Sequence, residues 1–406
     1  MKVVIIGGGA SGMVCAILQK RLGFDVTLIE KNEKLGKKLY ITGKGRCNLC
    51  NDCETDEFFT NVVSNPKFLT SAIYSFTPKE TIEFFENLGL TLKTERGNRV
   101  FPISDKSSDV IKTLQNELIS LGVDIRLNET ALKINADGNK IKSVLTDKSE
   151  YFADKVVVAT GGITYPSTGS TGDGFEFAKS LGHTVTELYP SLCGVNLKGE
   201  DFKTVQGLTL KNVKLSVSDN SKVFYSEQGE MLFTHYGVSG PLVLTASALL
   251  ARRKSKNIKF SIDLKPALDR ATLDKRILRD FSEFKNKELK NSLDLLLPKS
   301  IIPLIIKKSK IFENKKVSVI TSAERESLVD TIKNLEFDFL SLRGVNEAVI
   351  TSGGVSVKEI NPKTMESKII KGLYFIGEVL DVDAFTGGFN LQIAFSTAHS
   401  CGIQSR

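Results

Sequence analysis

The sequence predicts an α/β protein: a domain built on a parallel sheet, an inserted domain of antiparallel strands, and a small helical subdomain inserted in turn. Three observations predict it. Short continuous apolar runs followed by glycine recur at 2–6 (KVVII), 155–159 (KVVVA) and 373–376 (LYFI), as strands buried on both faces require. Between 194 and 260 the pattern changes to alternating stretches such as VKLSVS and KVFYSE, the mark of antiparallel strands in a barrel or sandwich. From 264 to 312 it changes again, with Leu268, Leu273, Ile277, Leu278 and Phe281 at helical spacing.

The elements follow in order. After strand 2–6 and Gly7, residues 13–22 read as a helix with Gly23 as its C-terminal cap. DVTLIE at Asp25–Glu30 is the next strand, so the unit takes about 30 residues, the size of one half of a dinucleotide fold. Residues 31–60, rich in Gly, Lys, Asn and Cys, read as a long functional loop. Helices are expected over 79–88, 109–121 and 174–181, and strands over 123–127, 130–135, 141–145 and 317–320. The stretches 348–355 and 373–376 and a glycine-rich C-terminal helix return to the α/β type. The expected division is 1–188 with 346–406 for the α/β domain, 189–262 with 317–345 for the barrel, and 263–316 for the helical subdomain.

Composition narrows the class. No apolar run reaches 18 residues, so no membrane span is expected. The apolar part of MKVVIIGGG is short for a secretion signal, and a cytoplasmic protein is expected. Six cysteines in 406 residues make no disulfide framework. Cys47, Cys50 and Cys53 have C-x2-C-x2-C spacing but no fourth ligand nearby, so reduced thiols are expected rather than a metal site. The net charge of +8 is uneven: 252–316 holds 19 Lys/Arg against 8 Asp/Glu, a local +11, leaving −3 for the rest. That segment reads either as a grip on a polyanion or as a solvated helical face. No nucleophile elbow supports a hydrolase.

Gly7, Gly9 and Gly12 make G-x-G-x-x-G between a buried strand and a helix, with Glu30 18 positions beyond Gly12. In that context the pattern is the Rossmann dinucleotide fingerprint. Gly7 would permit the tight turn, Gly9 the approach of a pyrophosphate, and Gly12 close helix–strand packing. Ala10 and Ser11 start the helix whose free N–H groups would meet the phosphates, and Glu30 would accept from ribose hydroxyls. The far end separates FAD from NAD. A second buried strand leads to Gly377-Glu378, then Asp381, then a glycine-rich turn (Gly387, Gly388) into a last helix starting near Gly388, with Asn390 and Leu391 as further cofactor-binding candidates. FAD needs such a return, because its ribityl and flavin half runs past the first phosphate turn. The helix N-terminus would stabilise charge at flavin N1/O2 on reduction.

With both ends read, the chain resembles the aminoacetone-oxidase-like flavoproteins, a family that includes a bile-acid 3-dehydro-Δ4,6-reductase and the ribosomal RNA dihydrouridine synthase. The resemblance covers essentially the whole chain. It rests on GGGASGM (7–13), KLGKKLYITGKGRCN (34–48), NRVFP (98–102), ATGGITYPSTGSTGDGFEFA (159–178), FTHYGVSGP (233–241), TSGGVSVKEI (351–360) and TMESKIIKGLYFIGEVLDVDAFTGGFNLQIA (364–394). Cys50 stands where the family usually has Thr or Ser, and Ala384 where Gly is common. The resemblance implies an FAD-binding Rossmann-like domain, a β-barrel and a small helical domain. It also places the 31–60 loop along the FAD.

Lys37, Lys38, Lys44 and Arg46 would then lie near the cofactor, to hold its pyrophosphate or an anionic substrate or else as a solvated loop, with Lys31 and Gly43 among the cofactor-binding candidates and Gly161 in a second glycine-rich region that also holds Tyr165. Cys47, beside these cations, is expected to have a lowered pKa and is a candidate proton donor; a buried packing cysteine is the other reading. His235 is a second catalytic candidate or a turn residue. His183 follows a helix and reads as structural, its charge favoured by the helix dipole. Asn98 and Arg99 are candidates for substrate recognition. No second G-x-G-x-x-G appears, so NADH or NADPH would visit the flavin transiently.

Three functions are compatible. One is reduction of a uracil in ribosomal RNA, supported by the basic 252–316 segment. Another is a small-molecule flavoenzyme acting on a steroid-type enone or an aminoacetone-type amine. The last is an FAD-bearing RNA-binding factor without redox activity.

Overall fold

The computed structural model describes residues 1–255 and 257–403. They form two compact units, Met1–Ser191 with Val345–Arg406, and Leu192–Gly344.

The first unit is built on a five-stranded parallel sheet. Its strands run, edge to edge, Leu373–Phe375, Lys155–Val158, Lys2–Ile6, Asp25–Glu30 and Asp124–Leu127. Lys2–Ile6 is therefore central: the next two strands of this sheet in the chain lie on one side of it and the last two on the other. Its C-terminal end is a topological switch point, where open α/β sheets bind ligands. Burial on both faces explains the uninterrupted VVII and VVV runs, whose residues are at most 5% exposed. The helix Ala10–Arg21 packs behind the sheet, ends with Lys20 and Arg21 in its last turn, and is followed by Gly23 at φ 83°. The final helix Phe389–Ile403 is apolar around most of its circumference, as its place in the core demands. Within the 31–60 loop the chain forms the short helix Lys37–Ile41 and the strand Cys50–Asn51.

The second unit contains a closed six-stranded barrel. The strand order is Val195–Leu197, Gly237–Ser239, Lys222–Phe233, Thr209–Asp219, Ile258–Asp263 and Leu335–Leu342. Leu215, Val217, Met231, Phe233, Phe260 and Ile262 are buried in its core. The helices Arg270–Glu283, Ile302–Ser309 and Ser322–Lys333 lie in the connection before the last strand. This corrects one expectation. Residues 317–320 are not a strand: Val317–Val319 is a single 3-10 turn. The helix after it starts at a capping box, with Thr321 and Glu324 satisfying each other's backbone N–H groups. Leu328, Val329 and Ile332 then bury a helical face. A four-residue apolar run carries no periodicity of its own, and the cap decided the conformation.

Candidate dinucleotide site

The site lies entirely in the first unit, at the C-terminal ends of strands Lys2–Ile6, Asp25–Glu30 and Lys155–Val158. Each fingerprint glycine has a distinct physical need. Gly7 sits at φ 107°, and a Cβ there would lie 2.5 Å from the Ala159 carbonyl oxygen. At Gly12 a Cβ would lie 1.9 Å from the Gly7 carbonyl oxygen, so helix and turn touch backbone to backbone. Gly9 differs: a Cβ would meet nothing within 4 Å. The helix it caps has no side-chain cap, leaving the Ala10 and Ser11 end free for an anion. An open position between two closed ones is what a pyrophosphate seat requires.

Glu30 is buried at the end of its strand. Its Oε2 accepts from Gly8 N at 2.8 Å, and its Oε1 from Asn32 N at 2.9 Å and Asn32 Nδ2 at 2.6 Å. The carboxylate is thus aimed across the glycine turn, where a ribose would sit. Lys31 reaches Asp173 at 2.6 Å and Thr171, tying this strand end to the second glycine-rich region. There Gly161 (φ 73°) and Gly162 continue from the strand Lys155–Val158.

The closing turn meets the opening one. Gly377, at φ 72°, would bring a Cβ within 2.7 Å of Ser11 Oγ. Next to it, Glu378 is a hub. Lys38 Nζ donates to it at 2.8 Å, Thr351 N at 2.9 Å and Thr164 Oγ1 at 3.3 Å. Both charges are engaged within the protein, so Lys38 and Glu378 fix the wall of the site. Asp381 is buried, and its carbonyl accepts from Asn65 Nδ2 at 2.7 Å. Gly388 (φ 102°) presses on the Cys50 carbonyl, where a Cβ would lie 2.3 Å away, and the Gly387 carbonyl accepts from Asn51 Nδ2 at 3.0 Å. Asn390 spends its amide on its own turn, bonding Ala384 N at 2.9 Å and Ala384 O at 2.8 Å. Only backbone N–H groups of the helix start, through Asn390 and Leu391, remain for a ligand there.

The 31–60 loop corrects two expectations. Arg46 does not face a phosphate site. Its guanidinium lies over the Phe101 ring, 4.2 Å from the centroid, and bonds Asp105 at 2.9 Å and Glu95. Gly43, at φ 60°, lets the chain turn beneath Asn48 N. Cys47 is fully buried, and burial alone pushes its thiol up to about 12. The lowered pKa expected from neighbouring cations does not exist, because Arg46 is drawn away by its carboxylates while the thiol is enclosed by apolar atoms. Cys50 and Cys53 are likewise raised by burial, Cys53 to about 11.

Sequence reasoning passed over two residues, Asn48 and Thr160. Asn48 Oδ1 and Thr160 Oγ1 are buried polar atoms without a hydrogen-bond partner among the described residues. Such atoms are costly unless a ligand satisfies them. Asn48 lies inside the GKGRCN motif and Thr160 directly after the strand Lys155–Val158, but neither spacing nor charge marked them. The open seat at Gly9, the uncapped helix, the buried Glu30 and these two orphaned atoms fit a resident dinucleotide such as FAD.

His235 belongs to the second unit, exposed between strands Lys222–Phe233 and Gly237–Ser239, with its ring edge-on to Tyr236 at 5.0 Å. His183 corrects a further expectation. It is buried and lowered by desolvation rather than charged by a helix end. Its Nδ1 faces Glu359 at 3.2 Å and its Nε2 faces Ser367 Oγ at 2.9 Å. Ser367 Oγ accepts from Ile369 N and Ile370 N, so its proton goes to Nε2. Asn98 holds Asp52 N through its carbonyl, and Arg99 bonds the Arg96 carbonyl.

In the basic segment, many cations are paired: Lys307 and Lys308 with Asp201, Arg276 with Asp280, Lys315 with Glu324. Lys275, Lys285, Lys287, Lys299, Lys310 and Lys316 are exposed and without an acidic partner among the described residues. Lys256 lies outside the described residues. Among the described residues no helix is long and apolar enough to cross a membrane.

Comparison with known proteins agrees with this geometry. The family model described as HI0933-like protein Rossmann domain matches residues 1–404. The chain is 33% identical to the 3-dehydro-bile acid delta(4,6)-reductase of Clostridium scindens, covering 99% of this chain and 98% of that protein. It is 31% identical to the ribosomal RNA dihydrouridine synthase of Haemophilus influenzae, over 98% and 97%. Among solved structures it resembles the Mycobacterium smegmatis Sdh1 complex in its apo form, with a TM-score of 0.52 and 15% identity, over 99% of this chain and 67% of that one. That likeness speaks for the fold.

Proposed function

Since the chain belongs to the HI0933-like Rossmann family, whose members are FAD-dependent oxidoreductases, we propose that it reduces a carbon–carbon double bond with electrons from NADH or NADPH. The substrate we assign is a uracil in ribosomal RNA, and the setting the cytoplasm. When bound, FAD supplies two-electron chemistry, passing hydride from the nicotinamide to one carbon of the double bond while a proton reaches the other.

The chain's residues have defined tasks in this reading. Gly7, Gly9 and Gly12 with the helix start at Ala10 and Ser11 seat the pyrophosphate. Glu30 takes the ribose hydroxyls, and Lys31 holds the adjacent wall. Lys38 and Glu378 lock the closing turn against Gly162, next to Gly161. Asp381, Gly387, Gly388 and the first N–H groups at Asn390 and Leu391 bound the flavin end. Gly43 and Arg46 shape the loop beside it. For the proton, Cys47 and His235 are tested by substitution. Cys47 keeps its proton at neutral pH, but its thiol is fully enclosed, which favours the packing role. If it is the donor, Cys47→Ala keeps FAD and slows turnover by about 100-fold, within the range of general acid catalysis; unchanged turnover removes it. His235→Gln is read the same way.

The observation that carries the RNA assignment is the local +11 charge of 252–316, with six exposed lysines that have no acidic partner among the described residues. Counterion release at such a surface is the main source of affinity for nucleic acid. Mass spectrometry of ribosomal RNA nucleosides from a deletion strain tests it: one dihydrouridine disappears. Unchanged dihydrouridine, with turnover of a bile-acid-type enone by the purified enzyme, would move the assignment to the second reading. The 33% identity to the bile-acid reductase favours that second reading.

A further inference from the structure

The first unit carries a groove that no part of the dinucleotide site uses. It is open to solvent, has a volume of about 480 Å³, and is lined by Asn65, Pro66, Lys67, Phe68, Val357, Lys358, Ile360, Pro362 and Lys368. Two features define its chemistry. Its floor is apolar and partly ring-shaped, from Pro66, Phe68, Val357, Ile360 and Pro362. Its charge is of one sign: three lysines and no carboxylate line it. Lys67 and Lys358 are exposed and have no ion pair among the described residues. Lys368 is held in place by its bond to the Lys358 carbonyl at 2.8 Å. The groove is also anchored to the cofactor wall, because Asn65 donates to the carbonyl of Asp381.

We propose that this groove holds a phosphate-bearing segment of a single RNA strand. The phosphates lie at Lys67, Lys358 and Lys368, and a sugar or base lies against Pro66, Phe68 and Pro362. The inference rests on the RNA reading above and adds a second contact surface to it, on the flavin-binding unit itself. Charge complementarity selects the occupant. Separate cations along an open groove match repeated phosphates better than one compact anion, and flat apolar side chains give a base or sugar a face to rest on.

The test uses the FAD-loaded full chain and a fluorescent single-stranded uridine oligoribonucleotide, with anisotropy measured across a salt series. Lys67→Glu/Lys358→Glu is compared with Lys310→Glu/Lys316→Glu, a pair from the basic segment. The groove pair should weaken binding about tenfold or more. It should also reduce the slope of log K against log salt by about 1.4, roughly 0.7 for each phosphate contact of a single strand. Lys67→Arg/Lys358→Arg should restore both. Retained flavin absorbance shows that the fold is intact, and if the Glu pair does not fold, Lys67→Gln/Lys358→Gln is read on the same slope. If the groove pair binds like wild type while the 310/316 pair loses affinity, the groove is overturned and the RNA reading stands. If wild type shows no salt-dependent RNA binding, both fall.

Discussion

The two glycine turns that frame the dinucleotide site are built in opposite ways. The opening turn is held largely by its own neighbourhood, with Gly12 on the carbonyl of Gly7 and Glu30 reaching Gly8, and takes one distant contact, Gly7 on Ala159. The closing turn, from Gly377 to Gly388, depends on distant chain. Ser11, Lys38, Cys50, Asn51, Thr164 and Thr351 hold it in place. The first turn is thus a local motif that presents an open seat. The second is a tertiary product that brings its helix start and buried acids to that seat.

Substitutions can break this contrast. The largest effect is expected at Gly388→Ala. Its φ of 102° and the Cys50 carbonyl 2.3 Å from the new Cβ combine strain with overlap, costing about 3 kcal/mol or more. Thermal unfolding should show the loss and the purified protein should lack flavin; wild-type stability would mean the closing turn is not rigid. Gly9→Ala should do the reverse. The new Cβ meets nothing within 4 Å, so the apoprotein loses only about 0.5–1 kcal/mol for the poorer cap. Flavin uptake should fall sharply, and normal uptake would mean the open position is not a phosphate seat.

Glu378→Gln leaves Lys38 without its carboxylate. Both side chains are partly exposed, 21% and 23%, so the stability loss should stay near 1 kcal/mol. FAD release should nonetheless quicken, because the closing turn loosens; release at the wild-type rate would remove Glu378 from the wall.

The smallest effect is a pH dependence. Burial lowers the pKa of His183 and of His399. The unfolded chain therefore binds more protons below about 6.5 than the folded one. Their contribution is fully present above that pH and is lost as pH falls from about 6.5 toward the folded values, at up to ~1.4 kcal/mol per pH unit for each histidine. His183→Gln should reduce that slope in chemical denaturation. An unchanged slope would mean His183 is not held neutral.

Particular residues show what was legible. The turn at Gly7, Gly9 and Gly12 and the place of Glu30 beside it could be read because a strand, three glycines and an acid at fixed spacing specify a local geometry. The antiparallel strands of the second unit were legible from alternation, though not their closure into a barrel, whereas the short VSVI run was not, because its conformation hangs on the cap at Thr321. Cys47 and Arg46 could not be judged from adjacency. Neighbouring residues can send their side chains in opposite directions, and here one is enclosed while the other is paired at the surface.

By itself the sequence determined the fingerprint turn, the parallel strands and the concentration of positive charge, because each follows from spacing or composition within a few tens of residues. Only the tertiary structure decided which charges are neutralised, which thiol is enclosed, and that Gly377 comes to rest against Ser11. Those outcomes depend on burial and on partners brought together by the fold, from Arg46 with Glu95 and Asp105 to Gly377 with Ser11, which spacing within one element does not specify.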